Sequence, residues 1–115
     1  MIKRVAIPVS EGKLSESFSQ CNYYEIFEIS ENNITEKEIK EPYKKDITKL
    51  PEWMASKGVS DIIAFKIDKS IIALFSPFRI NLFVGIPVNT PCNLIEDYNS
   101  GTLKSNEKII SEILK

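Results

Sequence analysis

Three short apolar runs decide what this chain can fold into: Val5-Ala6-Ile7-Pro8-Val9, Ile62-Ile63-Ala64-Phe65 and the stretch from Leu82 to Ile86. Each is too short for a core helix, and each reads as a strand buried in a sheet. Pro8 cannot donate to a ladder, which places it near the end of its strand. Helix signals separate the runs. Ile47, Leu50 and Met54 recur at helical spacing, with Pro51 in the first turn and Gly58 as the stop. Asp68 is placed to cap a short helix over Lys69 to Phe75, ended by Pro77. Thr90-Pro91 is a strong helix start, Leu94, Ile95 and Tyr98 give that helix an apolar face, and Gly101 closes it.

Two more strands precede this alternation. Tyr23 to Ile29 is aromatic and β-branched, and Glu31-Asn32-Asn33 offers a tight turn, since Asn tolerates positive φ. Ile34 to Ile39 fits a solvated edge strand whose Lys37 and Glu38 discourage edge-to-edge pairing. Ser10 to Gln20, polar with Gly12, reads as a loop. Ile109, Ile110, Ile113 and Leu114 form a terminal amphipathic stripe that packs on the body or, less simply, on a partner. The order βββαβαβα plus a terminal helix implies an α/β fold with a mixed sheet and helices on its faces. At 115 residues, with no linker or repeat, one domain over 1–115 is expected.

Several function classes are disfavoured. A net charge of −1 argues against a nucleic-acid partner held through phosphates. The run Lys44, Lys45, Lys49 is interrupted by Asp46 and reads as solvated surface. No apolar stretch approaches the roughly 20 residues that span a bilayer, and no signal-peptide core opens the chain. A cytoplasmic protein with reduced thiols is therefore expected, as a monomer or weak dimer. Histidine is absent, which removes Ser-His-Asp and Cys-His catalysis and imidazole metal ligation.

The same landmarks resemble the dinitrogenase iron-molybdenum cofactor biosynthesis family over roughly residues 2 to 103. Val5 to Val9 matches that family's opening strand, and Tyr23-Tyr24 with Ile26 its aromatic strand. Pro42 stands at its proline after the hairpin. Leu50-Pro51-Glu52-Trp53 and Lys57-Gly58-Val59-Ser60-Asp61-Ile62-Ile63 match its first helix and next strand. Val84-Gly85-Ile86 and Tyr98-Asn99-Ser100-Gly101-Thr102-Leu103 match its close. The resemblance implies a ribonuclease-H-like, five-stranded sheet of order 3-2-1-4-5 and a non-catalytic carrier of an iron-sulfur or iron-molybdenum cofactor precursor. Two departures fall at the ligand edge. Ser17-Phe18-Ser19 stands where the family has His-Phe-Gly, and Lys66-Ile67-Asp68 replaces a glycine-rich turn.

With that topology, the loop Ser10 to Asn22, the turn Lys66 to Asp68 and the segment Val88 to Cys92 share the rim at the C-terminal ends of the parallel strands, where open α/β sheets bind ligands. Ser17, Phe18, Ser19, Lys66 and Thr90 are the candidate cofactor-binding residues. Lys66 with the backbone N–H groups at Thr90 could hold an anion, or Thr90 could only cap. Cys21 and Cys92 are the candidate metal ligands. A helix start at Cys92 favours its thiolate, but two thiolates fall short of the usual cluster set of about four, and both could be ordinary small residues. A two-metal nuclease is disfavoured because Val5 to Val9 carries no carboxylate. The alternatives to a carrier are an interaction or regulatory module that has lost metal binding, and a thiol redox role for the two cysteines.

Overall fold

The computed structural model describes residues 2–18, 20–41 and 47–113. Six strands, β1 (Ile2–Ser10), β2 (Lys13–Leu14), β3 (Tyr23–Ser30), β4 (Asn33–Lys40), β5 (Asp61–Ile63) and β6 (Asn81–Phe83), form one mixed sheet. The order is β4-β3-β1-β5-β6, with β2 paired to β1. Apart from β2 this is the expected 3-2-1-4-5 arrangement. The helices are α1 (Leu50–Ser56), α2 (Lys69–Phe75), α3 (Pro91–Ser100) and α4 (Glu107–Ile113).

The period-two alternation of β1 sorts the core into two layers. Ala6 joins Tyr24, Ile26 and Ile62 beneath Leu50, Met54 and Phe75 of α1 and α2. Val5, Ile7 and Val9 join Phe27, Ile29 and Ile63 beneath Leu94 and Ile95 of α3. A helix layer on each face is what makes Val5 to Val9 of β1 apolar throughout.

Pro8 acts where expected. Parallel pairing of β1 with β5 covers only Val5↔Asp61 and Ala6↔Ile62. Beyond Ala6 that edge of β1 is taken by β2, with Val9 opposite Leu14 and the Ser15 N–H donating to the Pro8 carbonyl at 2.8 Å. The segment Ser10 to Gln20 is therefore not loop throughout. Glu11 (φ 52°) and Gly12 (φ 78°) are the two central residues of a hairpin turn with positive φ at both, the geometry whose twist suits antiparallel strands. The β3–β4 turn repeats it with Glu31 (φ 50°) and Asn32 (φ 66°), so glutamate as well as asparagine adopts the left-handed region.

Asp68 occupies the N-cap position of α2, but its carboxylate makes no capping bond. Its carbonyl oxygen instead accepts from the N–H groups of Ile71 and Ile72. Thr90 does cap α3, its Oγ1 accepting from Asn93 N–H at 3.3 Å. Pro42, Lys44, Lys45, Asp46 and Leu114 lie outside the described residues, as does Ser19. No described helix is long and apolar enough to cross a membrane.

Candidate functional site at the C-terminal rim

The loop after β1 is built from its own small polar side chains. Ser15 is buried; its Oγ accepts from Ser17 N–H at 3.2 Å and donates to the Ser17 carbonyl at 2.7 Å. Ser10 Oγ donates to Ser15 Oγ at 3.1 Å. Phe18, only 3% exposed, is driven into the core against Phe75 and Tyr24 at centroid distances of 5.9 and 6.2 Å. The Tyr24 hydroxyl donates to the Phe18 carbonyl at 3.0 Å. These contacts turn a polar segment into a fixed wall.

The wall meets the other two segments. Leu14 N–H donates to the Asn89 carbonyl at 2.9 Å, which ties the β2 hairpin to the start of α3. Between them runs a groove of about 410 Å³ lined by Ser10, Lys13, Ser15, Ser17 and Val88. On the other side of the wall a cleft of about 180 Å³ is lined by Glu16, Ser17, Phe18, Lys66, Ile67 and Asp68. Ser17 borders both hollows. The three segments expected to share a rim do share it.

The candidate residues divide accordingly. Ser17, Phe18 and Lys66 come together in the smaller cleft. Phe18 serves chiefly as the anchor of the wall. Thr90 lines neither hollow, and its N–H is taken by Asn89 Oδ1 at 2.8 Å. Neither hollow brings Lys66 and the Thr90 helix start together. Lys66 Nζ lies over the Phe65 ring at 5.2 Å and pairs with Glu112 of α4.

The two thiols sit in different surroundings. Cys21 is buried with Phe18 and Tyr24 in the layer under α1 and α2. Cys92 is exposed at the second position of α3, which covers the opposite face of the sheet. Among the described residues there is no group of three or more Cys, Asp or Glu placed to hold a metal ion.

Burial pushes the Cys21 thiol above its ordinary value, although the Tyr24 hydroxyl and nearby backbone pull the other way. Burial likewise pushes the Tyr24 and Tyr98 phenols upward, aided by the neighbouring Cys21 and Asp61 respectively. All three are acids held neutral by the fold. Their contribution to stability is complete below the unfolded values, about 8.5 for a thiol and about 10 for a phenol, and is lost as pH rises through the folded ones. The urea midpoint should therefore fall steadily from pH 8 to about pH 11, and Cys21→Ala should remove the first part of that fall. Tyr24→Phe leaves the Phe18 carbonyl without its buried partner and should cost about 1–2 kcal/mol at pH 7, read from urea denaturation.

Sequence reasoning missed two participants. Tyr24 stands in an aromatic strand whose pattern does not say which ring carries a hydrogen-bonded hydroxyl. Glu112 reaches Lys66 only through the packing of α4, which no local spacing encodes.

The sequence model of the dinitrogenase iron-molybdenum cofactor family matches residues 1–101. The chain belongs to that family. The match ends before α4, so the helix that supplies Glu112 lies outside it. No curated protein matches the chain closely enough to count as a relative. Among solved structures, that of PH0822 is similar with a TM-score of 0.84 at 21% identity, covering 93% of this chain and 97% of that one. The MJ0327 protein of Methanocaldococcus jannaschii gives 0.73 at 22% identity, covering 92% and 96%. The apo form of the orange protein from Desulfovibrio gigas gives 0.72 at 9% identity, covering 90% and 92%. At these identities the likeness establishes the fold.

Proposed function

We propose that this chain is a non-catalytic, cytoplasmic binding domain that carries an iron-sulfur or related metal-cluster species at the C-terminal rim. The observation that carries the reading is the convergence of three distant segments on that rim. The β2 hairpin, the Lys66–Asp68 turn and the approach to α3 meet around two adjoining hollows in a chain of the dinitrogenase cofactor family.

The donors fit loose carriage better than a closed site. Cys92 offers an exposed thiol. Cys21 is held as a neutral thiol by burial and is a poor ligand until the wall opens. Lys66 can supply positive charge to an anionic cluster once it leaves Glu112. One thiolate and one cation suit a cargo that must be handed on, whereas a resident cluster is held by about four cysteines.

Protein purified without oxygen and incubated with iron and sulfide should gain visible absorption and bound iron. Cys92→Ser should lose both. Cys21→Ser should keep them, since Cys21 is the less accessible thiol. Wild-type protein that takes up no iron, or a Cys92→Ser variant that takes up as much, defeats the reading.

A second reading rests on α4. Its residues Ile110 and Glu112, with Asn106 just before it, lie against Gly85 and Lys66 at the β5–β6 end of the rim. A rim covered by the chain's own helix suits a regulatory or interaction module that has given up metal. Iron uptake that stays absent even in Glu112→Gln favours this second reading.

A further inference from the structure

A third hollow lies on the other rim, at the N-terminal ends of β5 and β6. It measures about 570 Å³, within the usual range for small-molecule pockets of about 300–1,000 Å³. Asp61 is exposed by only 2% and lies against this hollow. Its Oδ2 accepts from Ser60 Oγ at 2.7 Å and its Oδ1 from Asn81 Nδ2 at 3.0 Å. Both donors are neutral, and among the described residues no lysine or arginine pairs with this carboxylate. A buried carboxylate is costly unless a cation or several donors compensate it.

The walls are aromatic and apolar. Phe83 meets Tyr98 edge to face at 5.6 Å and 89°, and Ile29 and Leu103 complete the apolar side. The Tyr98 hydroxyl is buried beside Asp61 yet makes no hydrogen bond of ordinary geometry. The mouth is held in shape by Asn99, whose Nδ2 donates to the Asn32 carbonyl at 2.7 Å, tying the β3–β4 turn to the end of α3. At the lip, Lys3 Nζ lies over the Tyr98 ring at 5.8 Å.

We propose that this hollow is a second binding site, which takes a small organic cation: a protonated amine or amidine that reaches Asp61, on a flat apolar body that packs against Phe83 and Leu103. An ammonium supplies the missing positive partner of Asp61. The aromatic rings favour a cation beside them. Anionic ligands with the same body are rejected by Asp61.

Phenethylamine and 3-phenylpropionate present the same ring with opposite charge. In amide NMR titrations at neutral pH, phenethylamine should shift resonances of Asp61, Phe83 and Tyr98 to Asn99, and 3-phenylpropionate should leave them in place. Asp61→Asn should weaken the amine by about tenfold or more, the loss expected when a charged partner becomes neutral. Because Asp61 is buried, Lys3→Glu gives a second arm at an exposed position; it should tighten the amine severalfold, and more at low salt. The proposal is overturned if phenethylamine shifts none of these resonances in the folded protein, if the carboxylate binds equally well, or if Lys3→Glu leaves the amine affinity unchanged. Iron uptake at the opposite rim is read separately, so neither result decides the other.

Discussion

Phe18→Ala is expected to lower the unfolding free energy by about 3–5 kcal/mol, the range for deleting a buried phenyl ring. Phe18 stands in a loop, where a substitution away from buried features ordinarily stays within about 0.5 kcal/mol. Here the ring fills space between Phe75 and Tyr24, and nothing nearby can collapse into it without moving α2. The Tyr24–Phe18 hydrogen bond depends on the same packing, so its loss adds to that of the ring. Phe18→Leu should recover most of the stability. Equilibrium urea denaturation of the two variants checks this. A loss under 1 kcal/mol for Phe18→Ala would mean that Phe18 only borders the cleft.

Gly85→Ala should cost about 1–3 kcal/mol and loosen α4 selectively. Gly85 has φ +77°, a region that side chains bearing Cβ rarely adopt. An added Cβ would also stand 2.5 Å from Ile110 Cδ1 and 2.8 Å from its Cγ1. Ile110 must give way, and it is the contact that seats α4 beside the Asn106 N–H bond to the Gly85 carbonyl at 2.7 Å. Amide exchange over Glu107 to Ile113 should speed up while β1 and β3 stay protected. Gly12→Ala is the control. Its φ is +78°, but no atom lies within 4 Å of the added Cβ, so it carries the backbone strain alone.

Much of the architecture was legible because it is encoded locally. Thr90-Pro91 and Gly101 bracket α3 as expected, since cap, fixed φ and left-handed stop act within a few residues. The apolar runs gave the parallel strands, although the ladders of β5 and β6 are shorter than those runs. Ala64 and Ile86 continue the pairing by single backbone bonds outside the strict strands. The β2 hairpin was not legible: a strand of two residues has no alternation to read, and Glu11-Gly12 is a weak turn signal without it. The sheet order came from the family likeness, because periodicity cannot say which strands are neighbours.

The candidate site was legible only as a meeting of segments. That Ser17 and Lys66 share a cleft follows from topology. That Phe18 is an anchor, that Cys21 is buried and Cys92 is not, and that Glu112 engages Lys66 depend on packing between residues far apart in the chain. Asp61 shows the same limit. In sequence it is one polar residue ahead of an apolar run, and only the fold reveals that it is buried without a cation.

One edge of β1 is divided at Pro8 between β5 and β2, and this makes the placement of the rim a matter of strand alignment. The segment bearing Ser15, Ser17 and Phe18 is indexed against β1 by Val9↔Leu14 and Ser10↔Lys13. A slip of one residue there would turn Leu14 outward to solvent and carry the whole wall off Asn89. The geometry of the hollows is thus inherited from the pleat itself, and the side chains lining them can be exchanged without redrawing their outline.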